Sequence, residues 1–219
     1  MSDIVDTTEM YIKVIYELME DDVVAMRARI VERLHHSGPT VSQTVARLER
    51  DGLLYIDFDR QLKLTDEGMK LARNIMTKHR YVERLLVDVL KYPWELAHEE
   101  ACKWEHVIGD EVLEYLRNFL GKIDTDPYGN LIPITSEALK HGKSLVSIIL
   151  DEEKEVEILR IGEPVQVHVD LLKQFLQNNI LPNTKVNVSV QGEEYILSSE
   201  DSLQSLSISK TLARHIFVK

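Results

Sequence analysis

The chain has 219 residues, 44% hydrophobic and 29% charged, which is typical of a globular protein with two or three small domains. No apolar run approaches the roughly 20 residues that span a bilayer. Residues 1–9 are acidic and polar, so the sequence predicts a cytoplasmic protein with no membrane partner and no secretory signal. A single cysteine, Cys102, excludes an internal disulfide, and the net charge of −11 argues against nucleic acid for the chain as a whole.

Residues 23–50 reverse this charge locally, because five arginines against two glutamates give +3. A cap at Asp6, with Glu9 three positions later, predicts a first helix. Apolar residues at helical spacing predict a second helix over 26–34 and a third from Pro39 to about Asp51. Gly52 follows where a helix favours a left-handed residue. The pattern predicts a helix-turn-helix.

Short apolar runs at 53–56 and 62–64 predict a β-hairpin, which would form a wing. A long helix is expected to begin after Thr65 and to end before Pro93, followed by helical sequence over 96–120 with a break near Gly109. Turn-forming residues at 124–133 predict a linker. Beyond it, β-like segments at 156–161, 185–190, 195–197 and 216–218, with one helix near 171–178, predict a small barrel.

The third helix carries side chains suited to reading DNA on its polar side. Short residues allow close approach to a groove, Gln43 can address a base edge, and arginines bind phosphates. The candidates are Thr40, Ser42, Gln43, Arg47 and Arg50, with Arg60 on the wing. The predicted DNA-binding set also includes Thr7, Arg27, Ala28, Ser37 and Pro39.

A second set of residues has ligand chemistry for a metal. His79 and Glu83 are four positions apart on the long helix, and His98, Cys102, Glu105 and His106 fall on one stripe of the next. Cys102, Glu105 and His106 can chelate one ion, and Met10 can add a soft fourth ligand. A thiolate, a carboxylate and an imidazole suit a first-row transition metal better than magnesium or calcium.

These motifs resemble the diphtheria toxin repressor and iron-dependent regulator family. The segments that carry the resemblance are DTTEMY (6–11), SGPTVSQTVAR (37–47), ERDGL (49–53) and EACKWEHV (100–107). A weaker similarity to that family's SH3-like module rests on DLL (170–172), Leu176 and ILPNTKV (180–186).

The resemblance implies a dimeric repressor, not an enzyme, in which Fe(II) enables binding to palindromic operator DNA that controls iron uptake genes, with no small-molecule substrate. Mn(II), Co(II), Ni(II) or Zn(II) are further possible ions, at two sites per chain. The implied primary site is Met10, Cys102, Glu105 and His106.

The implied ancillary site is His79, Glu83 and His98, completed from the SH3-like domain. The glutamate expected there aligns with His168, with Asp170 nearby, and the glutamine three positions later aligns with Leu171, which cannot ligate a metal. An implied anion pocket uses Arg80 and Asn130, while its serine is replaced by Asp126.

The predicted fold is mainly α with small β parts. The expected domains are a winged helix-turn-helix over residues 1–73, a helical metal-binding and dimerisation domain over 74–133, and an SH3-like β-barrel over 134–219.

Three alternatives stay open at this stage. One is a manganese-responsive repressor of the same family, and another is a winged-helix regulator that senses a small molecule or oxidation through Cys102. The third, a metalloenzyme that activates water, is disfavoured because no general base stands apart from the ligands. Metal titration against DNA binding, and an assay for hydrolase or oxidase activity, separate them.

Overall fold

The protein is mainly helical with a small hairpin and a C-terminal antiparallel sheet, which confirms the predicted fold class. The computed structural model describes residues 7–134, 142–148, 152–200 and 204–219. Within these ranges no helix has the length and apolar character needed to cross a bilayer. Three buried regions organise the chain: one around the first helices and hairpin, one between the middle helices, and one inside the C-terminal sheet.

The N-terminal region contains α1 (Thr7–Glu20), α2 (Arg27–Leu34), α3 (Gly38–Arg50) and the antiparallel strands β1 (Leu54–Ile56) and β2 (Leu62–Leu64). The predicted cap Asp6 lies outside the described residues. Ser37 caps α3 by accepting a hydrogen bond from the Thr40 backbone N–H, and Gly52 takes the predicted left-handed backbone with φ 74°. This region has the predicted winged-helix arrangement.

The middle region is built from α4 (Asp66–Arg84), α5 (Trp94–Trp104) and α6 (Asp110–Leu120). Thr65 caps α4, and the helix runs through the predicted domain boundary at 73/74 without a break. It then loosens into a π-helical turn, Leu85–Val89, short of the predicted end at Pro93. The predicted break at Gly109 is present, where this glycine is the N-cap of α6.

The C-terminal sheet has the strand order β3-β8-β4-β5-β6-β7, and its neighbouring strands are antiparallel. Its strands are β3 (Lys143–Ser144), β4 (Lys154–Ile161), β5 (Lys185–Gln191), β6 (Glu194–Ser198), β7 (Leu206–Ser209) and β8 (Ile216–Val218). Three helices accompany them: α7 (Glu163–Gln166), α8 (Val169–Gln177) and α9 (Lys210–Ala213). Sequence patterns missed β3, β7, α7 and α9, because elements of two to four residues carry too little periodicity to detect.

The segment 124–133, predicted as a linker, is packed into the protein. Tyr128 is fully buried in the C-terminal core, and its hydroxyl donates to the Trp94 carbonyl at 2.6 Å. Asp126 accepts backbone N–H groups of Tyr128 at 2.7 Å and Asn130 at 2.9 Å, which closes the turn. The turn-forming residues therefore do form a turn, but this turn packs between α5 and the C-terminal sheet.

The C-terminal region is also attached to the end of α1. Arg160 of β4 donates to the Asp21 carboxylate at 3.0 Å and to the Glu20 backbone carbonyl at 2.8 Å. His215 binds the other oxygen of Asp21 at 2.6 Å. Because the Arg160 and Asp21 side chains are buried, this ion pair fixes the sheet against the helix more firmly than a surface pair would.

We expect Gly68→Ala to destabilise the N-terminal region by about 1–3 kcal/mol, because a Cβ on α4 at this point overlaps the Leu53 carbonyl oxygen. Gly38→Ala is the control, since its added Cβ meets no atom within 4 Å and alanine is the better helix former. Urea unfolding of both variants measures the difference. Equal stability of the two would contradict this packing.

Candidate metal centre

A buried cluster of ligand-type side chains lies where α4 meets α5. His79 and Glu83 come from one face of α4, and His98 and Cys102 from the facing side of α5. The His79 Nε2 atom lies 2.8 Å from the Glu83 carboxylate and 3.2 Å from His98 Nδ1. One ligand atom from each of His79, His98 and Cys102 lies within 4.8 Å of the others. The four-residue spacing on each helix therefore brings these side chains together, as the sequence predicted.

Glu105 and His106 extend this cluster at the end of α5. The His79 Nδ1 atom lies 2.5 Å from Glu105 Oε2, so the two predicted ligand sets share an edge. His106 Nε2 lies 3.2 Å from the other Glu105 oxygen, and its Nδ1 binds Glu9 of α1 at 2.6 Å. Met10 is half-buried beside Glu9 and packs on the N-terminal core.

For each of these groups, burial and neighbouring charges shift the pKa in opposite directions. Burial raises the pKa of the Cys102 thiol, but the cationic His98 and Lys13 outweigh it and lower this pKa to about 5. Burial lowers the pKa of His98, but the Cys102 thiolate reverses this and raises it to about 10. Glu83, despite burial, has its pKa lowered to about 2 by His79. The cluster thus carries a thiolate and carboxylates at neutral pH.

Lys13 of α1 enters the same cluster, and sequence reasoning missed it. Its Nζ lies 2.8 Å from Glu105 Oε2, 3.2 Å from His79 Nδ1 and 3.5 Å from Cys102 Sγ. Burial lowers the pKa of Lys13, but Cys102 and three carboxylates outweigh it and hold this pKa well above its ordinary value. The available sequence signal was a lysine among the apolar residues Ile12, Val14 and Ile15.

The structure places the predicted ligands from the C-terminal domain at the surface. His168 and Asp170 are exposed, and Asp170 pairs with Lys173 at the surface. Glu163 and Gln166 of α7, which are three residues apart, are buried instead, and Glu163 Oε2 lies 3.8 Å from the Lys13 Nζ. These two residues have the identity and three-residue spacing of the expected glutamate and glutamine, five positions earlier in the chain. They fall on a four-residue helix that no periodicity signals.

Three buried oxygen atoms near this junction accept no hydrogen bond: Glu83 Oε2, Glu163 Oε1 and Gln166 Oε1. Buried acceptors without a donor are costly, and a divalent cation satisfies them as well as a donor does. Together with imidazole nitrogens and a thiolate they form a mixed donor set for a transition metal. The residues present therefore fit a metal ion.

At the predicted anion pocket, protein carboxylates pair with the arginine. Both terminal nitrogens of the buried Arg80 guanidinium bind Glu20, at 2.8 and 2.6 Å. Asp126 lies 3.5 Å from Arg80 Nε and accepts from the Asn130 side chain at 2.8 Å. The groups that would bind an external anion are already paired within the chain.

Most of the predicted DNA-binding residues are exposed on the N-terminal region. On α3 the exposed residues are Thr40, Ser42, Gln43, Arg47 and Arg50, with Ser37 and Pro39 at its start. Ala28 is exposed on α2, whereas Arg27 and Thr7 are half-buried. Arg60 is exposed at the tip of the wing with a left-handed backbone, φ 62°.

Two family models together match most of the first 134 residues. Residues 3–62 match the iron dependent repressor N-terminal DNA binding domain, and residues 65–134 match the iron dependent repressor metal binding and dimerisation domain. The chain belongs to the iron-dependent repressor family. The family resemblance of the sequence motifs is thereby confirmed.

Relatives of the iron-dependent repressor family match over most of their length. A diphtheria toxin repressor from Corynebacterium jeikeium is 42% identical over 93% of this chain and 90% of its own. An iron-dependent repressor IdeR from Mycobacterium bovis is 45% identical over 86% of each chain.

Solved structures share the fold of the whole chain. ScaR with bound Zn²⁺ is 27% identical with a TM-score of 0.80, covering 97% of this chain and 99% of its own. The manganese regulator SloR is 26% identical with a TM-score of 0.77, covering 97% of each chain. The C-terminal sheet is accordingly consistent with an SH3-like fold.

We expect inorganic phosphate to leave the melting temperature unchanged relative to chloride at equal ionic strength, because Glu20 and Asp126 already pair with Arg80. Arg80→Met should lower stability by about 3–5 kcal/mol, since it leaves a buried carboxylate uncompensated. Thermal unfolding with each salt tests this. A phosphate-specific rise in melting temperature would contradict the internal pairing.

Proposed function

We propose that this protein is a metal-activated transcriptional repressor that binds palindromic operator DNA as a homodimer. The observation that carries the proposal is the buried cluster of His79, His98 and Cys102, which lies against α1 of the winged-helix region through Lys13. A ligand set at the joint between a DNA reader and a dimerisation region is placed to control the angle between them.

Two ligand sets are proposed for each chain. The primary set is Met10, Cys102, Glu105 and His106, which brings α1 and the end of α5 together. The ancillary set is His79, Glu83, His98, Glu163 and Gln166, which brings the middle helices and the C-terminal domain together. The buried acceptor oxygens of Glu83, Glu163 and Gln166, which lack hydrogen-bond donors, support the second set.

Fe(II) is the proposed activating ion. The Cys102 thiolate is a soft ligand that favours iron over manganese, and the curated relatives at 42–45% identity are named for iron or as diphtheria toxin repressors. Mn(II) is the alternative, since one structural relative is titled a manganese regulator. Co(II), Ni(II) and Zn(II) would serve as substitute ions with the same donor set.

A bound divalent ion would supply positive charge that the thiolate and carboxylates share. The residues of this chain do the rest. Lys13 faces the cluster from α1, with Met10 three residues before it on the same helix, while α5 and its C-cap carry Cys102 and Glu105. Because α1 packs against α2, and α2 against α3, fixing α1 to α5 fixes the DNA-reading helix as well. The spacing of two readers in a dimer then matches the operator.

DNA contacts are proposed for the exposed side of α3 and for the wing. Gln43 would address a base edge, whereas Arg47, Arg50 and Arg60 would bind phosphates. Thr7, Arg27, Ala28, Ser37, Pro39, Thr40 and Ser42 complete the proposed contact set. The Ser37 hydroxyl also holds the start of α3, because it contacts the Thr40 hydroxyl at 2.7 Å.

The proposed dimer face is the apolar side of α6. Val112, Tyr115 and Phe119 lie at positions i, i+3 and i+7, and Tyr115 and Phe119 are 70% and 68% exposed. Val107, just before α6, is 77% exposed. An apolar stripe of this size on a helix end marks a contact surface, and it falls within the segment that matches the metal binding and dimerisation model.

A second candidate function is redox sensing through Cys102, favoured by its lowered pKa, about 5, because thiolates are the reactive form of cysteine. The two functions differ in what activates DNA binding. Hydrogen peroxide in the presence of a chelator tests the redox function, and Fe(II) without oxygen tests the metal function.

Glu105→Ala and His106→Ala should each abolish metal-dependent DNA binding, because each removes a proposed ligand. Glu105→Ala should also lower stability, since it leaves the buried Lys13 ammonium without its carboxylate partner. Fluorescence anisotropy on a palindromic duplex, with Fe(II) or with chelator, measures this.

Gln166→Ala should weaken binding of the second metal ion about 10–100-fold. His168→Ala is the matched control and should bind two ions as the wild type does, since His168 is exposed. Loss of an ion in the control alone would reverse this ligand assignment.

Gln43→Ala should relax base discrimination at one position by about 1–3 kcal/mol, because it removes a contact to a base edge. Arg60→Ala should weaken binding to all sequences alike and reduce the salt dependence, because it removes a phosphate contact. Anisotropy titrations on duplexes with single base changes, at two salt concentrations, separate the effects. The roles would be wrong if Arg60→Ala altered sequence preference and Gln43→Ala did not.

A further inference from the structure

The Lys13 side chain places a cation inside the ligand cluster. Its Nζ contacts Glu105 Oε2 at 2.8 Å, His79 Nδ1 at 3.2 Å and Cys102 Sγ at 3.5 Å, so atoms from both ligand sets surround one ammonium group. The side chain is 8% exposed. A buried ammonium so placed is held by the same acceptors that would hold a metal ion.

An ion and this ammonium cannot share these acceptors. Transition metals bind thiolate sulfur at about 2.3 Å and carboxylate oxygen at about 2.0–2.2 Å. The Cys102 sulfur and the Glu105 Oε2 atom, which are proposed ligand atoms, now accept hydrogen bonds from Lys13. Two positive charges at this separation also repel strongly in a buried site. Metal binding at Cys102 and Glu105 therefore requires the Lys13 ammonium group to move away from them.

The chain provides a second place for the displaced ammonium. Glu17 lies one turn further along the same buried face of α1, and Glu163 of α7 has its Oε2 only 3.8 Å from Lys13 Nζ. The flexible four-carbon stem of lysine lets Nζ move closer to the Glu163 carboxylate while α1 stays fixed. The group can therefore yield to an ion without becoming an unpaired buried charge.

We propose that Lys13 is a tethered cation that competes with the divalent ion for Cys102, Glu105 and His79, and so sets the metal concentration at which the protein responds. This rests on the proposed metal activation. The competitor is part of the chain and its local concentration is constant, so it lowers metal affinity by a fixed factor. Lys13 thereby acts as a threshold residue, tuning the response without being a ligand.

The test is Co(II) binding to the full-length protein, measured by calorimetry against a competing chelator. Lys13→Met keeps the stem and removes the charge, and we expect it to bind Co(II) about 10–100-fold more tightly than the wild type, the factor that corresponds to one charge-assisted hydrogen bond. Lys103→Met is the matched control. It removes the same charge beside Cys102 in sequence, from a side chain that is 60% exposed and pairs with Glu99 and Glu100.

Melting temperature supplies a second readout. In chelator the Lys13→Met protein should melt below the wild type, because its thiolate and carboxylates lose their counter-ion, and the rise on adding Co(II) should be larger. If Lys13→Met does not fold, Lys13→Gln carries the same test. Unchanged or weaker Co(II) binding in a folded Lys13 variant, or equal tightening in Lys103→Met, would overturn the competition. A wild-type protein that binds no Co(II) would overturn the proposed metal activation itself.

Discussion

The structure depends on the compensation of negative charge buried where the three regions of the chain meet. Among the described residues, buried aspartates and glutamates outnumber buried lysines and arginines, and the Cys102 thiolate adds to the excess. Unpaired charge in a protein interior is far costlier than any single packing defect. Each cation at the junction therefore has a defined partner: Lys13 binds Glu105, Arg80 binds Glu20, and Arg160 binds Asp21. The ligand-type groups that remain at the junction are the ones proposed above to bind a divalent ion.

The same requirement explains why the C-terminal domain is docked at this point. Its Glu163 brings a carboxylate toward Lys13 and Arg80, and its Arg160 brings a guanidinium to the end of α1. Each side of this interface therefore contributes charged side chains that pair with opposite charges on the other side. An interface built this way has a specific orientation, because ion pairs and hydrogen bonds are satisfied in one register only.

Sequence patterns predicted the parts of this protein that repeat or carry strong local signals. Thr65 and Gly52 marked helix ends, and the four-residue spacing of His79 with Glu83 and of His98 with Cys102 predicted which side chains meet. Two features resisted prediction for physical reasons. Glu163 and Gln166 lie on a single helical turn, which has no periodicity. The family resemblance was therefore aligned five residues away, at His168 and Leu171. Lys13 resembles a surface charge until the far side of α1 is known to be covered.

Helix α1 contacts both the ligand cluster and the C-terminal sheet. α1 has 14 residues and so a length of about 21 Å, and a helix of that size is nearly rigid. Glu9 near its start binds His106, Lys13 near its middle reaches the ligand cluster, and Glu20 at its end accepts from Arg160. α1 is therefore placed to act as a lever: a displacement at either end of the helix would also tilt the winged-helix region that packs on it.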